Sequence, residues 1–182
     1  MSELDRDRWE ERYRSRAVPQ ADEVRLPAVF APFEDLFPTK GRALELACGQ
    51  GRASVWLALR GMDVWGIDIS PTAINQARDL AARSGVGDRC RFDVVDLDSG
   101  LPAGPPVVVV LCHRFRDRRL DQRIIERLAP GGLLAISTRS VVGAGPGRFR
   151  TAPGELTTAF AQLEVIASGE GDGEAWLLAR KP

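Results

Sequence analysis

Histidine and cysteine are scarce in this chain, and each scarcity excludes a chemistry. There is one histidine, His113, among 182 residues. The three cysteines, Cys48, Cys90 and Cys112, are odd in number, widely spaced and contain no C-x-x-C pair. That argues against a disulfide framework and against a zinc site, and no metal is expected. Net charge is missing as well: 25 basic and 25 acidic side chains cancel, so no overall field draws the chain to nucleic acid or to a membrane. Long apolar runs are absent. The most apolar stretch, "VVVVLC" at Val107–Cys112, is far too short to span a bilayer. The opening "MSELDRDRWEERYRSRA" is too charged for a signal peptide. The expectation is a soluble, cytoplasmic protein without nucleic-acid or membrane partners.

What is present is enough for one ordinary domain, 44% apolar over 182 residues, with neither repeats nor low-complexity segments. Residues 1–40 read as an N-terminal helical segment, a lid or substrate element, and 41–182 as the core. Ser2 with Asp5 resembles a capping box opening a first helix, with Leu4, Trp9 and Tyr13 roughly on one face. A short second helix from Pro27 carries Phe30, Phe33, Leu36 and Phe37, and Pro32 interrupts its regularity. An alternation then begins. "RALELA", "DVWGID", "RCRFDVVD", "VVVVLC" and "LLAIST" read as strands. "GRASVWLALRG", "SPTAINQARDLAARSG" and "DRRLDQRIIERLAPGG" read as the helices between them. Ser70, Pro71 and Gly85 supply an N-cap, a first helical position and a stop for the middle helix. Strands alternating with helices give a mainly parallel sheet covered on both faces. After a short helix in "PGELTTAFAQ", the strands "LEVIASGE" and "EAWLLARK" flank "GDG", a hairpin signal. The fold class is α/β: a doubly wound, mainly parallel seven-stranded sheet finishing in an antiparallel pair.

In such a sheet, ligands sit beyond the carboxyl ends of the strands where the strand order reverses. The turn "ACGQGR" after the first strand stands there, and Gly49 and Gly51 let the backbone approach a ligand closely. Asp68 ends the second strand about 20 residues later, where a carboxylate accepts hydrogen bonds from ribose hydroxyls. An adenosine-containing ligand follows. A dinucleotide fits poorly. The spacing is G-x-G-x-x-S, with Ser54 in place of the third glycine, and Glu45 before the turn is a poor neighbour for a pyrophosphate. A positively charged ligand, S-adenosylmethionine, suits that carboxylate better.

At these residues the chain resembles a known family. "LELACGQGR", followed by "VWGIDISPTAINQAR" and "DVVDLD", is similar to the class I S-adenosylmethionine-dependent methyltransferases, over about Arg42 to Lys181. "RWEERYRSR" and "RFRTAPGEL…F…LEVI" resemble the small tellurite-resistance/thiopurine-type branch. The resemblance implies that Glu45, Ala47, Cys48, Gly49 and Gly51 wrap the methionyl half of the cofactor. Ala47 stands where many relatives have glycine. Asp68 would hold the ribose and Ile69 would pack on the adenine. Asp96 and Leu97 would meet the adenine edge, and Cys112 and His113 would line the methyl-transfer pocket. Relatives open the fourth strand with an aromatic–Asp pair, whereas Pro105-Pro106 stands here.

Methyl transfer from a sulfonium is an in-line displacement, so the protein chiefly orients and desolvates the partners. His113 is suited to act as a general base or simply to pack over the cofactor. Trp9 and Tyr13 either fold over the pocket or anchor the first helix to the core. Arg52 either pairs with the cofactor carboxylate or is solvated. Arg114, Arg116, Arg118, Arg119, Arg139, Arg148 and Arg150 form either a basic rim for an anionic acceptor or ordinary loop charges. Cys48 and Cys112 are small core fillers before they are reactive thiols. The leading expectation is methyl transfer to a small thiol, oxyanion or hydroxyl acceptor by a monomer or homodimer. A cofactor-binding protein without catalysis and a nicotinamide-dependent oxidoreductase are the alternatives.

Overall fold

The computed structural model describes residues 3–145, 147 and 150–182. Ser2, half of the expected capping box, and Arg148 lie outside the described residues. The chain begins with α1 (Glu3–Arg14), followed by 3-10 turns over Ala28–Leu36. The core then runs β1 (Arg42–Leu46), α2 (Arg52–Leu59), β2 (Asp63–Asp68), α3 (Pro71–Arg83), β3 (Cys90–Val94) and β4 (Val107–His113). It continues with α4 (Asp121–Arg127), β5 (Leu128–Ser140), a two-residue β6 (Arg150–Thr151) and α5 (Glu155–Ala159). The hairpin β7 (Glu164–Gly171) and β8 (Glu174–Arg180) closes the chain.

The sheet order is β3-β2-β1-β4-β5-β8-β7, with β6 paired to β5 off this path. The strands from β3 to β5 are parallel, and β8 is antiparallel to both β5 and β7. The seven expected strands and the antiparallel finish are therefore present, with β6 added. The hairpin turn at Asp172-Gly173 has φ of +50° and +78°, the left-handed pair that a two-residue turn between twisted strands requires. Because β1 pairs with β2 on one side and β4 on the other, the order reverses at the β1/β4 boundary. In open sheets of this kind, ligands bind beyond the carboxyl ends of the strands at such a reversal.

Alternating side chains divide the strands between two cores. Leu44, Leu46, Val110, Cys112 and Ile136 pack with Ile124, Ile125, Leu156 and Phe160 from α4, α5 and the segment after it. Ala43, Val109, Leu111 and Ala135 pack on the opposite face with Leu57 of α2 and with Phe30 and Phe37. Trp176 joins this second core, edge-on to Phe30 at a centroid distance of 6.2 Å.

Two elements differ from expectation. The aromatic segment after Pro27 is a kinked 3-10 structure, with Phe33 non-helical at φ −115°. Pro32 has no N–H to continue a regular helix. The helix expected through "DRRLDQRIIERLAPGG" is a 3-10 turn at Arg118–Leu120 and then α4, and Leu128 already belongs to β5. Gly131 at φ +74° and an irregularity in register between Val107 and Val109 take Pro130 and Gly131 into the sheet. No helix of the described residues is long and apolar enough to cross a membrane.

Candidate cofactor and methyl-transfer site

The turn after β1 is built from backbone conformations that side chains resist. Ala47, Gly49 and Gly51 have φ of +51°, +54° and +76°. Left-handed backbone costs an L-residue roughly 1–2 kcal/mol, which accounts for glycine at two of these positions and for the glycine many relatives carry at the third. Gly51 has a second constraint. A Cβ there would stand 2.7 Å from the Ala77 Cβ of α3, so α2 and α3 meet only because it is absent. Cys48 N–H donates to Ile67 O at 2.9 Å, which ties the turn to the end of β2.

Asp68 completes that tie. Its Oδ2 accepts from Gly49 N–H at 2.9 Å and its Oδ1 from Ser70 N–H at 3.0 Å. One carboxylate thus fixes both the glycine turn and the entry to α3, where Ser70 Oγ caps the helix by accepting from Ala73 N–H. Burial raises the Asp68 pKa, and the amides of Ser70 and Gly49 oppose the rise. Glu45, in β1 just before the turn, is 4% exposed. Burial pushes its carboxyl up to about 8 against the pull of the Ser54 hydrogen bonds. The Ser54 hydroxyl donates to Glu45 Oε2. Ser54 thus does more than replace a packing glycine: it is the partner of the buried acid.

The N-terminal helix lies across this turn. Tyr13 is buried, and its hydroxyl sits where a Cβ at Gly49 would come within 2.7 Å. Trp9 stacks on Tyr13 at 6.2 Å between centroids. Glu10, between them, accepts from the hydroxyls of Ser70 and Thr72 and from Thr72 N–H. Arg6 approaches Asp96 at 3.6 Å. The helix is therefore fastened to the start of α3 and to the loop after β3. Glu10 carries no motif that announces this. Its partners are about sixty residues away in sequence, so only the fold reveals them.

Ile69 and Leu97 are buried at the ends of β2 and β3, and Asp96 Oδ1 accepts from Asp98 N–H at 3.0 Å. These three are brought to the same end of the sheet as Asp68. His113 is level with Ala47, because Leu46 pairs with Cys112 one position earlier. Cys112 turns the other way. It lies in the core beneath α4 with its thiol donating to Phe115 O at 3.4 Å, and burial pushes it up to about 12. Neighbouring residues of a strand face opposite sides, so Cys112 is a core filler and His113 alone of the pair faces the other layer. Cys48 is buried and its thiol is likewise raised by burial, then by Asp68.

The arginines sort clearly. Arg52 donates to Gln50 Oε1 at 2.7 Å and to Glu23 Oε1 at 3.0 Å, so it is committed to the protein. Arg116 pairs with Asp121 and Glu155, Arg118 with Glu155, and Arg119 with Asp98 and Asp117. Arg150 donates to Ser140 O. Three arginines of the rim, Arg116, Arg118 and Arg119, are thus neutralised by neighbouring carboxylates.

The residues fit the cationic adenosine ligand. Asp68 offers lone pairs beyond the two amides. Among the described residues, no lysine or arginine is paired with Glu45 or Asp68.

Comparisons with known proteins agree with this geometry. Residues 43–132 match the family model described as a methyltransferase domain. The chain is 35% identical over 103 residues to the ribosomal RNA small subunit methyltransferase C of Alcanivorax borkumensis, covering 52% of this chain and 31% of that protein. It is 30% identical to the putative methyltransferase YqeM of Bacillus subtilis, covering 59% of this chain and 46% of the relative. The chain thus spans less than half the length of these curated relatives. In fold it resembles TehB from Haemophilus influenzae, with a TM-score of 0.71 and 20% identity over 97% of this chain and 67% of that one. Residues 43–132 thus match a methyltransferase domain, and the chain as a whole has the fold of solved proteins that include a S-adenosylmethionine-dependent methyltransferase from Clostridium acetobutylicum, at a TM-score of 0.65 and 13% identity.

Proposed function

We infer that the chain works as one unit, with residues 1–40 as lid over the 41–182 core, and transfers a methyl group from S-adenosylmethionine to a small-molecule acceptor. When bound, the cofactor supplies an activated methyl carbon on a sulfonium. Ala47, Cys48, Gly49 and Gly51 form the turn that would hold its methionyl part. Asp68 would hold the ribose, and Ile69, Asp96 and Leu97 the adenine. Glu45 acts through the strand beneath, bonded to Ser54. The observation that carries the reading is Asp68, which braces Gly49 and Ser70 with both oxygens.

A small acceptor is supported by the lid. Tyr13 lies on the turn and Glu10 fastens α1 to α3, which supports a lid that would screen a small acceptor from water. The likeness to TehB spans almost the whole chain, lid included, and supports the tellurite-resistance-type branch. Arg114 and Arg139, at the ends of β4 and β5, have no ion-pair partner among the described residues and suit an acceptor bearing an anionic group.

The test is methyl transfer from isotopically labelled S-adenosylmethionine to a panel of thiols, phenols, amines, oxyanions and a ribosomal RNA fragment. Label in a small acceptor supports the reading. Label in the RNA alone overturns the small-molecule assignment, and binding with no turnover on any member favours a cofactor-binding role without catalysis.

A further inference from the structure

His113 has two neighbours that sequence spacing does not reveal. The β4–β5 register sets it beside Ser137, and the β5–β8 register sets Ser137 beside Trp176 and Arg139 beside Glu174. His113 Nδ1 lies 2.6 Å from Ser137 Oγ and 3.9 Å from Glu174 Oε1. That Glu174 oxygen is screened from solvent and has no hydrogen-bond partner among the described residues. The other side of Glu174 borders a cavity of about 320 Å³ lined by Val29, Glu170 and Trp176 among others.

A buried carboxylate oxygen without a donor is costly. At 3.9 Å from Nδ1 the Glu174 carboxylate makes no hydrogen bond to the ring and acts through its charge, which favours the tautomer with the proton on Nδ1. Ser137 Oγ then accepts from that N–H. The Nε2 lone pair is left free, and the ring is fixed by two strands that belong to the rigid sheet. This is the arrangement of an oriented general base.

We propose that Glu174 and Ser137 are positioning residues that hold His113 as a general base, and that the acceptor is a protic group, a hydroxyl, amine or thiol that loses a proton as it is methylated. The proposal rests on the methyl-transfer reading above. The acceptor's bond to hydrogen breaks and its electron pair forms the bond to the methyl carbon. The proton passes to His113 Nε2. The carbon–sulfur pair stays on sulfur, which becomes a neutral thioether. One positive charge thereby moves from the sulfonium to the imidazole, where Glu174 offsets it. Burial and then Arg114 push His113 down to about 4, so the ring is neutral at neutral pH. The charged groups facing it are Arg114 at the end of its own strand and Glu174 from β8.

His113 is the only histidine, so its imidazole nitrogen resonances are unambiguous. They are measured on the full chain with S-adenosylhomocysteine added. The wild type is expected to carry its proton on Nδ1. Glu174→Gln is expected to move the population toward the Nε2–H form and to lower proton affinity about tenfold, one pKa unit. Glu174→Asp, which keeps the charge and retracts it, is expected to give a smaller change. A wild-type proton on Nε2 overturns the proposal without any variant, and so does an unchanged tautomer in Glu174→Gln. Calorimetry separates the two levels. Failure of the wild type to bind S-adenosylhomocysteine overturns the methyl-transfer reading itself, whereas normal binding with an unaltered imidazole overturns only the role of Glu174.

Discussion

Replacing Glu45 with glutamine tests the electrostatics of the floor beneath the cofactor turn. Glu45 is 4% exposed and bonded to Ser54, with no lysine or arginine paired to it among the described residues. Burial pushes its carboxyl up to about 8, against about 4.3 in an unfolded chain. The folded state therefore holds this proton more tightly than the unfolded state does. The stability it confers is fully present below about pH 4.3 and is lost as pH rises toward about 8, by about 1.4 kcal/mol per unit. Across the window the loss amounts to ~3–5 kcal/mol, and above it the contribution is flat. Glutamine has the same shape, accepts from Ser54 and does not titrate. Urea unfolding of both proteins, repeated from pH 5 to pH 8, reads the difference directly. Groups common to both proteins, Asp68 and His113 included, cancel in the subtraction. The variant is expected to be ahead by about 1 kcal/mol at pH 5 and by ~3–5 kcal/mol at pH 8. A difference that does not change with pH in this window would refute the reasoning, because Glu45 would then be ionised and compensated in the fold.

Three further substitutions probe the turn. Ala47→Gly removes a Cβ from a residue at φ +51° and is expected to stabilise the protein by about 1 kcal/mol in denaturant unfolding, without weakening cofactor binding. Gly49→Ala places a Cβ 2.7 Å from the Tyr13 hydroxyl. It should displace α1 and weaken S-adenosylhomocysteine binding by about tenfold, or 1.4 kcal/mol, with faster proteolysis of residues 3–14 as the structural readout. Gly51→Ala drives a Cβ to 2.7 Å from Ala77 Cβ and 3.2 Å from the Phe92 ring. Here the expected effect is on stability, a loss of about 2–3 kcal/mol from overpacking and backbone strain, measured by urea unfolding.

The features legible in the sequence were those whose cause is local. Gly49, Gly51 and Asp68 stand in a spacing set by one turn and one strand, so their meeting at the sheet's reversal point follows from the alternation of strands and helices. Ser70, Pro71 and Gly85 punctuate α3, and Asp172-Gly173 forms the hairpin turn, for equally local reasons. What escaped depends on contacts between distant segments. Glu10 meets Thr72, and Glu174 meets His113, through packing and register that no spacing rule encodes. Cys112 and His113 look alike as residues ending an apolar strand, yet the pleat sends one into the core under α4 and turns the other to the opposite face of the sheet. Arg116, Arg118 and Arg119 of "HRFRDRR" read as a positive field only while their partners, Asp98, Asp117, Asp121 and Glu155, are out of view.

The central claim is that the turn after β1, braced by Asp68, binds S-adenosylmethionine. Isothermal calorimetry with S-adenosylmethionine on the wild type and on Asp68→Ala tests it most directly, with circular dichroism to confirm that the variant remains folded. Saturable binding to the wild type is expected, and at least ~100-fold weaker binding to folded Asp68→Ala, which loses the brace on Gly49 and the hydrogen bonds proposed to the ribose. No heat of binding to the wild type at millimolar cofactor, or equal affinity in the two proteins, would contradict it.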